Sequence, residues 1–218
     1  MLTAPRVPNA TATRLPVYLR VLTELTGERI SSDELAAACG ITSAQLRKDL
    51  SLLSFHGTRG VGYYIADLRA AIAAELGMQH DWPVVIVGGG NLGLALAGYA
   101  GFLSRGFRVV GLVDADLLRV GESVGDGLVV QPMADLSRIV RRTHCAIGVI
   151  ATPAGGAQGI ADELVAAGVT GILNFAPVVL TVPTGVRVRN VDLGVELQLL
   201  AFHEQQRTIA GLGVEQEA

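Results

Sequence analysis

Residues 84–87 read Val-Val-Ile-Val and run directly into Gly88, Gly89, Gly90, Asn91, Leu92 and Gly93. A short, wholly apolar, β-branched run predicts a strand buried on both faces, because a half-exposed strand would alternate. The glycines end that strand and open a helix. Strand patterns recur at 108–113, 128–130, 146–151, 171–173 and 186–188, with helical stretches filling the gaps. Strand-helix units of this length join neighbouring strands only in parallel. The chain beyond Trp82 therefore predicts a doubly wound α/β parallel sheet of the Rossmann type.

That context turns a glycine pattern into a dinucleotide fingerprint. Gly88 permits the tight turn, Gly90 lets a pyrophosphate approach the backbone, and Gly93 lets helix and strand pack closely, while the helix N-terminus offers free N–H groups and positive potential. Asp114 lies 21 residues past Gly93 and ends the second strand, where a carboxylate accepts hydrogen bonds from the adenosine ribose and repels a 2′-phosphate. NAD⁺ and NADH are the expected ligands, in preference to the NADP pair. The plainer alternative is a glycine-rich turn followed by a surface aspartate. Thr152 and Pro153 after the fourth strand, and Asn174, Phe175, Ala176 and Pro177 after the fifth, fall at the carboxyl edge where this fold binds ligands. They are expected to border the nicotinamide, with ordinary turn chemistry as the competing account of each one singly.

The first 80 residues follow another pattern. Residues 1–12 lack periodicity and predict a frayed tail, with order beginning near Arg14. Leu15, Leu19, Leu22 and Leu25 recur at helical spacing, and Gly27 closes that helix. Ser31 with Glu34 is a capping-box signature, and Thr42 with Gln45 repeats it before a helix over 43–55. At 100° per residue Leu46, Leu50 and Leu53 share one side of that helix, and Ala44, Arg47, Lys48 and Ser51 the other. Gly57 to Tyr64 then read as a glycine-rich turn and an aromatic strand, a small hairpin that suits a wing, and a helix follows at 67–76. Helix, helix, short turn, helix and wing predict a winged helix-turn-helix. Arg47 and Lys48 on the free face, with Arg59 in the wing turn, are the arrangement that a helix in a major groove would use. Its competitor is a solvated face with Asp49 beside the two cations.

Composition narrows the classes. With 50% hydrophobic and 17% charged residues, disorder is excluded for the bulk of the chain. Residues 1–80 carry 8 Lys and Arg against 7 Asp and Glu, and residues 81–218 carry 9 against 13. Any nucleic-acid contact must rest on where a few cations sit. No apolar run approaches the roughly 20 residues of a membrane crossing, and no basic segment leads into an apolar one at the start, so a cytoplasmic protein is expected. Cys39 and Cys145 lack partners at metal-ligand or disulfide-framework spacing, so no metal is expected. Hydride transfer to a carbonyl needs a general acid near the nicotinamide. The only lysine is Lys48, and His80, His144 and His203 fall in a linker, before a strand and in the last helix. A cofactor site without a visible reaction argues against an enzyme. A small NAD-dependent oxidoreductase stays as the rival, and an NAD-binding subunit without DNA affinity is a third reading.

QLRKDLS followed by GTRGVGY, then VVIVGGGNLG, ILNFAPVVL and VDLGVELQLLAF, in this order and at these spacings, resembles the Rex family of redox-sensing transcriptional repressors over about residues 14–203. The resemblance implies a homodimer that holds a palindromic double-stranded operator when NAD⁺ dominates and leaves it when NADH binds. It assigns DNA contacts to Arg47, Lys48, Arg59 and Gly60. It assigns nicotinamide-linked switching to Tyr99 and Asp192, with Arg20 the partner of Asp192 in one state. Phe202 belongs to the same coupling path through the terminal helix. Ser54 and His56 depart from the family pattern, which commonly has Gly and an aromatic there, as do Leu50 and Leu193, where relatives have Phe. The expected organisation is a winged-helix DNA-binding domain over 1–80, a Rossmann domain over 81–191 and a domain-swapped dimerisation helix and tail over 192–218. The apolar girth of that helix, from Leu193 to Phe202, fits exchange between subunits on physical grounds too, since one sheet could hardly cover it all.

Overall fold

The computed structural model describes residues 7–58, 61–125 and 127–215, with side chains to residue 207. The chain divides into two compact units, Met1–Asp81 and Trp82–Ala218.

In the first unit α1 (Asn9–Ala12), α2 (Leu15–Glu24), α3 (Ser32–Ala38), α4 (Ser43–Leu52) and α5 (Ile65–Glu75) enclose a core of Leu15, Tyr18, Leu22, Leu35, Leu46, Leu50, Leu68 and Ile72. The expected tail is not frayed from residue 7 onward. Val7 and Thr11 are buried, and α1 packs ahead of Arg14 because its polar face has a buried partner, described below. Ser31 and Glu34 complete the capping box of α3. At α4 only half of the device forms. Thr42 Oγ1 accepts from the Gln45 N–H at 3.2 Å, but the Gln45 amide turns away to Asp49. α4 ends at Leu52, short of the expected residue 55. Ser54, at φ 57°, takes the left-handed conformation that ends such a helix and that favours glycine, which accounts for the glycine of the family pattern. The expected wing turn closes as a small hairpin, with Thr58 and Gly62 exchanging backbone hydrogen bonds at 2.9 Å. Beyond it β2 (Tyr63–Tyr64) pairs antiparallel with β1 (Arg29–Ile30), the link between α2 and α3.

The second unit is a seven-stranded sheet of β3 (Trp82–Val87), β4 (Phe107–Asp114), β5 (Ser123–Gly125), β6 (Leu128–Pro132), β7 (Ile147–Ile150), β8 (Gly171–Asn174) and β9 (Arg187–Asn190). Its order is β5-β6-β4-β3-β7-β8-β9, parallel except for the edge strand β5, which the sequence pattern did not separate from the approach to β6. The order reverses direction between β3 and β7, the crevice where this fold binds ligands. α7 (Leu136–Thr143) and α8 (Ala154–Ala167) cover one face through Val85, Val113, Ile139 and Leu164. On the other face α6 (Asn91–Ala97) lies over Ile86 and Leu112. Beside it a groove of about 300 Å³ stays open, floored by Val84, Ile147, Val149 and Leu173, walled by Phe102 and Phe107, and rimmed by Arg187 and Arg189. The last helix, α9 (Leu193–Glu215), is longer than the expected stretch to 208. Leu193, Val195, Leu197, Leu199, Leu200 and Phe202 are each more than half exposed along it. Among the described residues no helix is long and apolar enough to cross a membrane.

Candidate cofactor site and nucleic-acid interface

Each fingerprint glycine meets a distinct constraint. Gly88 has φ 110°, and a Cβ there would lie 2.5 Å from the Ala151 carbonyl oxygen. At Gly93 a Cβ would stand 1.7 Å from the Gly88 carbonyl oxygen, so helix and strand touch backbone to backbone. Around Gly90 nothing lies within 4 Å of a Cβ, which leaves open space against the start of α6, and no side chain caps that helix. Asn91 and Leu92 are exposed at its first turn. The N–H of Gly89 donates to Asp114 Oδ2 and the N–H of Asp116 to Oδ1 at 2.7 Å, so the carboxylate is fixed across the end of β4 by two backbone donors. Arg119 Nη1 donates to the Gly89 carbonyl at 3.0 Å. Sequence reasoning missed this residue, which carries no signal beyond a cation shortly after Asp114.

The expected nicotinamide border forms one row. Val87 faces Ile150 and Ile150 faces Asn174 in parallel register, which aligns Gly88, Ala151 and Phe175 along the carboxyl edge, with Thr152 one residue beyond. Thr152 Oγ1 is buried without a hydrogen-bond partner among the described residues, while Pro153 is exposed at the start of α8. Asn174 is fully buried. Its amide donates to the Ala176 carbonyl, the Val178 carbonyl and Asn190 Oδ1, and its oxygen accepts from the Ala176 N–H, at 2.9–3.1 Å. With those bonds made, its side chain shapes the loop that carries Phe175, Ala176 and Pro177. The Val191 N–H donates to the Asn174 carbonyl at 2.8 Å, which brings Asp192 to the same edge. There Asp192 Oδ1 accepts from the N–H groups of Gly194 at 2.9 Å and Val195 at 3.3 Å and starts α9. Tyr99 is half exposed, its ring edge-on to Phe102 at 5.2 Å. Phe202 is exposed on α9, and Arg20 is exposed on α2 of the other unit.

In the first unit Ala44, Arg47, Lys48 and Ser51 are all exposed on α4, as the helical spacing requires. Arg47 Nη1 donates to Ser32 Oγ at 2.9 Å, next to a cleft of about 550 Å³ that runs from the start of α3 past His56 to the wing turn. Phe55 packs near Tyr63 at the wing base, with ring centroids 6.3 Å apart. Arg59 and Gly60 lie outside the described residues.

Asp49 does not belong to the solvated face that the competing account needs. It is 1% exposed, pointing into the core away from Lys48, and its carboxylate accepts five hydrogen bonds. Arg14 supplies two, at 2.7 and 2.8 Å, Tyr18 Oη one at 2.6 Å, Thr11 Oγ1 one at 2.9 Å and Gln45 Nε2 one at 3.0 Å. Burial by itself would push its pKa up. The donors outweigh that, Arg14 first, and bring it down to about 2. A depressed carboxylate stabilises the fold above its unfolded value near 4 and loses that contribution as pH falls toward 2. We expect the first unit to lose helix cooperatively within that window. Circular dichroism at pH 5, 4, 3 and 2 checks this, and Asp49→Asn should flatten the dependence.

Two family descriptions match, a "Putative DNA-binding protein N-terminus" over residues 6–51 and a "CoA binding domain" over residues 79–178. The chain is 59% identical over 204 residues to the redox-sensing transcriptional repressor Rex of Streptomyces avermitilis, covering 92% of this chain and 81% of that one. It is 46% identical to the Rex of Pelotomaculum thermopropionicum, covering 94% and 97%. Among solved structures it is similar to RSP in complex with β-NAD⁺ and operator DNA, with a TM-score of 0.87, 33% identity, and coverage of 97% of this chain and 99% of that one. RSP in complex with β-NADH gives a TM-score of 0.85 at 34% identity, covering 94% and 97%. A helix-turn-helix and a dinucleotide turn on one chain, with likeness of this extent over nearly its whole length, place it in the Rex family of redox-sensing transcriptional repressors.

Proposed function

We propose that this chain holds operator DNA as a homodimer while NAD⁺ prevails and releases it when NADH binds. The observation that carries the reading is the pairing, on one chain, of a Gly88 to Gly93 turn facing the clamped Asp114 with a helix that presents Arg47 and Lys48 to solvent. RSP, at a third identity over almost the whole chain, has been solved with both kinds of ligand. The role is regulatory, and a repressor works where its operator is, in the cytoplasm.

The adenosine end selects the ligand. Asp114 can accept from the ribose hydroxyls, whereas the ribose phosphates of NADPH and coenzyme A would meet its charge. NADH should therefore bind far more tightly than NADPH, and Asp114→Ala should narrow the gap. Calorimetry that shows equal binding of the two by the unmodified chain would refute the assignment. The nicotinamide end lies against Thr152, Pro153 and the loop from Asn174 to Pro177, with Tyr99 and Asp192 as switch residues. On the DNA side, Lys48→Ala should make the dependence of operator affinity on salt shallower by about one unit if Lys48 neutralises one phosphate. Fluorescence anisotropy over a range of salt reads it. Ala44 and Ser51 border the same face, and Arg59 and Gly60 are assigned to the wing contact.

The subunits join through α9. Its six exposed apolar side chains and the open groove over β7 and β8 are complementary in character, so exchange of α9 between copies covers both. A dimer must set its two recognition helices to half-sites one turn of DNA apart, so a small rotation ends simultaneous contact. The test is an operator mobility shift titrated with NADH, NAD⁺ and coenzyme A, together with NADH affinity measured with and without saturating operator. Coupling on the order of 1–3 kcal/mol makes operator weaken NADH binding roughly 5- to 150-fold. An unchanged NADH affinity would sink the switch even if both ligands bind.

A further inference from the structure

A helix that reads bases must be held at one rotation, because its contacting side chains reach only a few positions. The apolar anchors of α4, Leu46 and Leu50, do not supply that by themselves, since apolar packing is non-directional. The directional restraint comes from Asp49, on the turn of α4 that carries Lys48. Its donors arrive from three places: Thr11 on α1, Arg14 at the entry to α2, and Tyr18 on α2. Two oxygens with about four acceptor directions are filled, so α4 cannot rotate against α1 and α2 without breaking charge-assisted bonds. Buried ion pairs can often be replaced by well-packed apolar groups without loss of stability, which leaves orientation as what this one adds beyond packing. The Gln45 amide, at the end of α4 where helices of this kind meet bases, is engaged by the same carboxylate.

We infer that Asp49 is the positioning residue of the recognition helix: its cage with Arg14, Tyr18 and Thr11 fixes the rotation at which Arg47 and Lys48 are offered to DNA, and its bond to Gln45 keeps that amide out of base recognition. This rests on the DNA-binding reading above. Asp49 touches no DNA itself.

The experiment uses the full-length chain. A duplex recovered from a randomised library by selection with the unmodified chain serves as the operator probe, and a scrambled duplex of equal length as the reference. Asp49→Asn and Tyr18→Phe are compared with the unmodified chain at a temperature where far-ultraviolet circular dichroism shows each to be native. The expected result is a fall of at least tenfold for Asp49→Asn, and at least threefold for Tyr18→Phe, in the ratio of operator to scrambled affinity. Scrambled affinity and its salt slope should stay unchanged, since no cation facing DNA is removed. If both variants merely melt earlier and keep the ratio, the cage serves stability alone and the inference is overturned. Should Asp49→Asn fail to fold, Tyr18→Phe decides by the same criterion. If the unmodified chain itself recovers no preferred duplex, it is the DNA-binding reading that fails, and the inference falls with it.

Discussion

Gly93→Ala is expected to lower NADH affinity by at least a hundredfold and to leave a repressor that no longer responds to NADH. The added methyl would stand 1.7 Å from the Gly88 carbonyl oxygen, a backbone atom with nowhere to go, since the neighbouring Gly88 position is itself pressed against Ala151. Ordinary contact requires roughly twice that separation. α6 must therefore move away from β3 by more than an ångström, taking with it the uncapped N–H groups of its first turn that would face the pyrophosphate. The helices of the first unit lie outside this contact, so operator binding should persist. Calorimetry with NADH, alongside an operator shift in its presence, checks both halves. NADH affinity within threefold of the unmodified chain would mean that the turn does not hold the cofactor.

Truncation after Val191 is expected to give a monomer that binds NADH weakly or normally but has lost more than a hundredfold in operator affinity and all coupling. Removal of α9 takes away six apolar side chains that are each more than half exposed within the subunit, each contributing roughly 1.5–3 kcal/mol when fully buried. A monomer can occupy only one half-site, so the gain from engaging two at once disappears. Sedimentation equilibrium and anisotropy on the same preparations measure the two losses. A truncated chain that still sediments as a dimer would assign the subunit contact to another surface.

The sequence made these arguments possible to different degrees. The second unit was legible almost throughout, because a two-sided apolar strand, a glycine-rich turn and regular spacing are signals confined to a few consecutive residues. The edge strand β5 was not, since its three residues pair with a neighbour across a short turn and bury little. In the first unit α2 to α5 followed from their apolar spacing and caps, but α1 and the role of Asp49 did not. A carboxylate between Lys48 and Leu50 reads as solvated unless one knows that Thr11, Arg14 and Tyr18, more than thirty residues earlier, converge on it. The same omission made residues 7–12 look like a loose tail and Gln45 look like the second half of a cap. Asn174 and Arg119 teach a related lesson. Their partners are set by how loops fold back on the sheet, which no local pattern records.

Asp114 is clamped by two backbone donors, one of them Gly89 in the turn that would receive the pyrophosphate, so an adenosine seat built on it would be preformed and the same for either oxidation state. NADH and NAD⁺ share every atom that would reach this seat, so they compete for the same place. Once the combined pool is large enough to keep the seat filled, occupancy by one form depends on its proportion and no longer on the total. A cell could double or halve its nicotinamide supply without disturbing the readout, provided that the balance between the two forms held.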